Sequence, residues 1–469
     1  MRNRFTLVAS AVITLLPSVL PGQSAPVGRA ALAQVTDSLA NAALRAGPVA
    51  ALSIAVIRGR DTVVMKGYGS ADIENDVPAT AETVYRIGSV TKQFTSVAVM
   101  QLIEEGKISL DDEVTKYLSG YPTHGRRVLV RHLMNHTSGI PSYTDVGAKF
   151  GRRMRMDLPH DSLLAIVRED SLQFDPGTHF YYNNTGYYML GMIIERVTGK
   201  SYGDYLREKL FTPHGLNATV YCGDSPVIKR RARGYGRGPN GLVNADFISM
   251  NLPFAAGALC STVGDLATWT RLLHDGKLVN AASFRTMTTP VKLTSGRPMS
   301  YGYGLSIDTL GSHPVIHHGG GINGFISELA HYPDDSLTIA VLANTAPAPS
   351  EQIAENIART AFGMPLRSAP ERPADLAIAA AERDRLVGNY RVTGPDGSRR
   401  TMRVFVNGEQ LMAQMDGQQE AFRLQKQQAP NTFAASRQPG RIVFDTSGGK
   451  VTGFYWDRGA RPLEAVRVP

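Results

Sequence analysis

Ser89-Val90-Thr91-Lys92 sets a hydroxyl and an amine three residues apart. On a helix that spacing puts both groups on one face, and at the start of the helix they meet its positive end. A serine hydroxyl is a poor nucleophile at neutral pH, and an amine whose pKa is lowered by desolvation takes its proton. The chemistry within reach is acyl transfer through an ester on Ser89. Such a spacing arises by chance about once in a chain of this length, so the surroundings must decide its meaning. Other chemically capable residues read as scaffold on their own terms. Tyr182 lies in an aromatic run with Phe180, Tyr181, Tyr187 and Tyr188, and His136 sits in a helix-to-loop segment, where a histidine is usually a hydrogen-bonded structural residue. His317 and His318 are adjacent. Neighbours on a strand point to opposite faces, and no carboxylate or Cys pattern completes a site, so neither a metal nor a cofactor is expected.

The elements around these residues follow from periodicity. A helix is predicted over Arg29 to Arg45, with Leu32, Val35, Leu39 and Ala43 on one face and Gly47-Pro48 as its stop. Val49 to Ile57 and Thr62 to Tyr68 read as a hairpin across Arg58-Gly59-Arg60-Asp61. A helix begins near Ser89, presents Phe94, Val97, Ala98 and Leu102 together, and ends before Gly106. Helical patterns and loops dominate Leu110 to Leu278. Strand signals return at Val315 to His317, Ile326 to His331 and Thr338 to Ala343, and a helix covers Glu351 to Ala361. Strands at both ends with helices between predict an α+β architecture: one antiparallel sheet, closed by distant segments and flanked by helices, with a helical subdomain. Ala369 to Ala374 is Pro- and Ala-rich and reads as part of a linker. Beyond it, Met402 to Val406 with Gln410 to Gln414 across Asn407-Gly408, and Arg441 to Asp445 with Val451 to Trp456, are hairpins of a small C-terminal all-β domain. The expected organisation is a signal peptide over 1–24, a hydrolase domain over 25–366, a linker over 367–383 and a β-domain over 384–469.

Composition narrows the partners. With 469 residues, 43% of them hydrophobic, the chain has enough apolar material for a large core and a second, smaller domain. The net charge of +9 is spread along the chain rather than gathered in a run, and no nucleic-acid motif accompanies Lys229-Arg230-Arg231 or Arg399-Arg400. Nucleic acid is therefore not an expected partner. Arg2 and Arg4, the apolar stretch from Phe5 to Leu20 and the small residues Gly22 and Ser24 have the layout of an export signal, and Pro17 and Pro21 weaken a spanning-helix reading. No later segment is long and apolar enough to cross a bilayer, so the expectation is a periplasmic or secreted protein with no integral membrane segment after signal cleavage. In an oxidising compartment the two cysteines, Cys222 and Cys260, either pair or remain separate buried thiols.

Four segments in order carry a family resemblance. Arg86-Ile87-Gly88-Ser89-Val90-Thr91-Lys92-Gln93-Phe94, Leu133-Met134-Asn135-His136-Thr137-Ser138-Gly139-Ile140, Phe174-Asp175-Pro176-Gly177 with Tyr181-Tyr182-Asn183-Asn184-Thr185-Gly186-Tyr187, and His318-Gly319-Gly320 together resemble the motifs of the serine β-lactamase and penicillin-binding superfamily. The likeness is to its class C β-lactamase and D-alanyl-D-alanine carboxypeptidase branch, and it spans about Ala25 to Phe362. It implies Ser89 as nucleophile, Lys92 as its base and Tyr182 as the second acid/base. It further implies Asn184 orienting Lys92 and substrate, His318 and Gly320 on the substrate-binding strand, and the backbone N–H groups of Ser89 and Gly321 as the oxyanion hole. The C-terminal domain resembles the lipocalin-like appendage of some members.

The implied activity is hydrolysis of an amide, lactam or ester bond in a D-amino-acid peptide, a β-lactam or a small ester, with a small-molecule or peptide substrate that includes peptidoglycan fragments. Two departures qualify it. His318 stands where class C β-lactamases carry Lys, which favours a carboxypeptidase or esterase over a dedicated β-lactamase, and Asn183 replaces the more usual Ser between Tyr182 and Asn184. The competing reading is a non-catalytic member of the same fold that binds cell-wall peptides or a protein.

Overall fold

Strand β1 (Ala51–Arg58) is buried along almost its whole length, because both faces of the sheet it belongs to are covered. Leu52, Ile54 and Val56 pack with Leu32 and Ala40 of helix α1 (Arg29–Arg45) on one side, while Ala51 and Ala55 join the core on the other. The computed structural model describes residues 27–468 apart from 147, 224, 368–375, 394–398, 419–420, 437–439 and 458–462. The expected signal peptide, and the Pro- and Ala-rich stretch of the expected linker over 369–374, lie outside the described residues.

The central sheet has seven strands. After β1 come β2 (Asp61–Asp72), β3 (Val77–Pro78), β4 (Ser306–Leu310), β5 (His313–Ile322), β6 (Phe325–Tyr332) and β7 (Leu337–Ala343), in the spatial order β3-β2-β1-β7-β6-β5-β4. The pairs β1–β2, β1–β7, β7–β6, β6–β5 and β5–β4 are all antiparallel. Thus the first and last parts of the main domain meet at β1–β7, and the long helical stretch between them covers the opposite face from α1. The fold is α+β. Two strands exceed their sequence signals: β5 runs on through the glycine segment to Ile322 because β6 supplies its ladder partners, and β4 has only a weak apolar pattern of its own.

Helix α2 (Thr91–Glu104) crosses the core and is buried on nearly every side. Ser89 precedes it in a single 3₁₀ turn, Gly88–Val90. That turn is fed by Tyr85–Arg86, which pairs with Leu259–Ser261, and the latter pairs with Val220–Tyr221. Cys222 and Cys260 form a disulfide across this small sheet, resolving the alternative that sequence left open.

The C-terminal part is a closed eight-stranded barrel from Gly388–Thr393 to Leu463–Val468. Its strands alternate buried and exposed residues, and Tyr390, Met402, Leu411, Phe433, Phe444, Phe454 and Trp456 fill one core. Asn407 and Gln410 face each other across the Asn-Gly turn, where Gly408 takes φ +61°.

Candidate active site

Lys92 is fully buried, and burial holds its amine well below the ordinary lysine range. Its Nζ has three neighbours: Ser89 Oγ at 3.1 Å, Asn184 Oδ1 at 2.9 Å and the Ala256 carbonyl at 2.8 Å. An uncharged amine has two hydrogens and one lone pair. Asn184 Oδ1 and Ala256 O accept only, so they take both hydrogens, and the lone pair is left facing the Ser89 hydroxyl, which donates. Asn184 is itself oriented, since its Nδ2 donates to Thr144 Oγ1 at 3.1 Å and its backbone N–H to Ser142 Oγ at 3.2 Å.

Asn184 opens helix α3 (Asn184–Thr198), and its predecessor explains one departure noted in the sequence. Asn183 is the N-cap: its side-chain oxygen accepts from Gly186 N at 2.7 Å while its amide donates to the Ile140 carbonyl. The amide fills the two roles from two separate atoms, Nδ2 and Oδ1. Tyr182, one residue earlier, is buried with its ring 4.7 Å from Lys92 Nζ. Burial raises the Tyr182 pKa and the adjacent Ser89 hydroxyl lowers it by less, so the phenol stays protonated. Its hydroxyl has no partner at hydrogen-bond geometry among the described residues.

Glycines let β5 approach the nucleophile. A Cβ on Gly320 would sit 2.1 Å from Ile87 O, and one on Gly88, at φ +50°, would sit 2.9 Å from Gly321 N. Ser327 Oγ ties the same turn by donating to Ile87 O at 2.8 Å. The Gly321 amide is thereby brought beside Ser89.

His318 lines the cleft but spends both ring nitrogens internally. Nδ1 lies 2.6 Å from Gly319 O, an acceptor, so Nδ1 carries the proton, and Nε2 accepts from Tyr301 Oη at 2.9 Å. Burial lowers its pKa to about 3. His317 points to the other face, 3.0 Å from Glu328 Oε1. Both ring nitrogens of His318 are thus engaged within the protein.

The cleft holds about 540 Å³ and is lined by Ser89, Phe180, Tyr182, Met299, Tyr301, His318 and Gly319, with Arg297, Asp308 and Tyr455 at its margin. Tyr455 comes from the barrel. Arg297 lies 4.7 Å over its ring and pairs with Glu464 at 3.1 Å, and His179 Nε2 is 3.0 Å from the other Glu464 oxygen. Sequence reasoning missed Ala256, Tyr301 and Tyr455. A backbone carbonyl has no side-chain signature, and Tyr455 reaches the cleft only through how the barrel docks. Tyr301-Gly302-Tyr303-Gly304 had a usable signal, since Gly304 packs on the Lys92 carbonyl at φ +72°.

A family model described as Beta-lactamase matches residues 36–362. The chain is 27% identical over 387 residues to penicillin-binding protein 4* of Bacillus subtilis (strain 168), covering 78% of this chain and 84% of that protein. It is 27% identical over 324 residues to a D-aminopeptidase of Gluconobacter oxydans (strain 621H), covering 68% of this chain and 60% of that protein. Among solved structures, a D-stereospecific amidohydrolase from a Streptomyces species superposes with a TM-score of 0.60 at 30% identity, covering 72% of this chain and 99% of the other.

Proposed function

The chain belongs to the Beta-lactamase family, and on that premise we propose that it hydrolyses amide bonds of small D-amino-acid amides or peptides through an acyl-enzyme on Ser89. The observation that carries this reading is the buried Lys92 amine, held between Asn184 Oδ1 at 2.9 Å and the Ala256 carbonyl at 2.8 Å with Ser89 Oγ 3.1 Å away. The relatives that act on D-amino-acid substrates support the substrate class.

In this reading Lys92 accepts the Ser89 proton as Oγ bonds to the carbonyl carbon. The oxyanion is met by the backbone N–H groups of Ser89 and Gly321. As the C–N bond breaks, the Tyr182 phenol gives its proton to the leaving nitrogen, and the Lys92 ammonium returns one to the phenolate. Water then attacks the ester with the same groups in reverse, restoring Ser89 and releasing the acid. A protonated, buried Tyr182 suits a proton donor. Export to an oxidising compartment belongs to the proposal too; the Cys222–Cys260 disulfide supports it.

The test is a panel of D- and L-amino-acid amides, D-amino-acid dipeptides, a chromogenic cephalosporin and short nitrophenyl esters, run with wild type and Ser89→Ala. The expected pattern is turnover of D-amides that Ser89→Ala loses by several powers of ten, with fluorophosphonate labelling of Ser89 alone. Turnover confined to esters or to the cephalosporin would overturn the substrate class. No turnover and no label with folded protein would favour the binding protein.

A further inference from the structure

His136 is a buried histidine that the mechanism above leaves unused, and its backbone sits at φ +61°. Its carbonyl accepts the Tyr181 N–H at 2.9 Å, and its Nδ1 accepts the Asn183 N–H at 3.1 Å. The main chain is thus held immediately before and immediately after Tyr182. The imidazole centroid is also 4.3 Å from the Tyr182 ring centroid. Because Nδ1 is an acceptor, the ring's single proton is on Nε2, which has no hydrogen-bond partner among the described residues. The rings of Tyr187 and Tyr301 enclose it at 5.2 and 4.8 Å. A purely structural histidine would be expected to use its second nitrogen as well. Burial holds the ring's pKa well below the ordinary histidine range, so it can lie against the proton relay without adding charge to it.

We propose that His136 is a positioning residue for Tyr182: it grips the backbone on both sides of the tyrosine and backs its ring, so that the phenol stays aimed at Ser89. The proposal rests on the reading of Tyr182 as the relay's second acid/base. The phenol has four other neighbours that bear on its titration and aim: Lys92 at 4.7 Å from its ring, Ser89, His318 at 6.0 Å between centroids and Tyr301 at 6.3 Å. None of these four hydrogen-bonds the Tyr181–Asn183 backbone among the described residues, whereas His136 holds it twice.

His136→Asn separates the two parts of this role. Asn tolerates positive φ and keeps a short acceptor near the Nδ1 position, but it removes the backing ring. The expected result is a melting temperature close to wild type, KM within about twofold, kcat lower by about 10²-fold, and a displaced limb of the pH–rate profile, the limb that Tyr182→Phe abolishes. His136→Phe keeps a ring and loses the acceptor; it should fall in melting temperature yet hold that limb nearer its wild-type position. The deciding arm combines His136→Asn with Tyr182→Phe, where the added loss should be under about twofold. Losses that multiply, or a His136→Asn enzyme with unchanged kcat and pH profile, overturn the proposal while leaving Tyr182 in place. An unchanged kcat in Tyr182→Phe alone overturns the reading of Tyr182, and the role of His136 with it.

Discussion

Between pH 5 and 8, KM should stay flat for a D-amino-acid dipeptide and equally flat for its C-terminal amide, because His318, which stands where class C β-lactamases carry Lys, stays uncharged over that range. The Nδ1 proton of His318 is committed to Gly319 O and its Nε2 lone pair to the Tyr301 hydroxyl. Charging the ring would turn that hydroxyl away inside a dry site. With the pKa lowered to about 3 by burial, about 1% of rings are charged at pH 5 and about 0.03% at pH 6.5. Removing the Tyr301 donor releases the lone pair. One neutral hydrogen bond contributes on the order of 1 kcal/mol, roughly one pKa unit, so Tyr301→Phe should move the ring only to about 4 and leave KM flat above pH 6. The assay is KM against pH for both substrates in wild type, Tyr301→Phe and His318→Gln. A KM that climbs through pH 6 to 7 for the dipeptide, stays level for its amide, and levels off in His318→Gln would refute the argument, since only a charged His318 produces that pattern.

Other expectations follow from the same geometry. Lys92→Ala and Tyr182→Phe should each remove most of kcat, and together far less than the product of the two losses, because they serve one relay; double-mutant kinetics checks it. Opening the Cys222–Cys260 disulfide, which closes a separation of 38 residues, should cost about 4 kcal/mol in the chain-entropy account, read as a drop in the urea midpoint of the Cys222→Ala/Cys260→Ala variant. Stability should also fall as pH drops below about 6.5, because burial lowers the pKa of His132, His274, His318 and His331, so the unfolded chain takes up protons that the folded one refuses. The contribution is complete above the unfolded value and is lost towards the folded values near 3 to 4; urea titrations at pH 7 and 5 would show it. Tyr455→Ala should relax the cleft's size preference by about tenfold in the ratio of kcat/KM for bulky over small amides, because it removes the barrel's wall.

What sequence alone determined was local or periodic. The three-residue step from Ser89 to Lys92, the apolar faces of α1 and α2, the mostly apolar runs of β1 and β7 and the Asn407-Gly408 turn are each decided by neighbours along the chain, so spacing was enough to read the α+β class and the barrel's hairpins. The tertiary structure decided the states of the groups. The Lys92 amine is held well below the ordinary lysine range because the core surrounds it, and Ala256, far along the chain, accepts one of its hydrogens. His318 spends both ring nitrogens on Tyr301 and Gly319, and the two cysteines meet because two short strands pair. Tyr455 enters the cleft from the far end of the sequence. Propensity and periodicity act over a few residues, whereas desolvation and hydrogen-bond partnership depend on which distant segments fill the space around a group, and that is settled only when the chain packs.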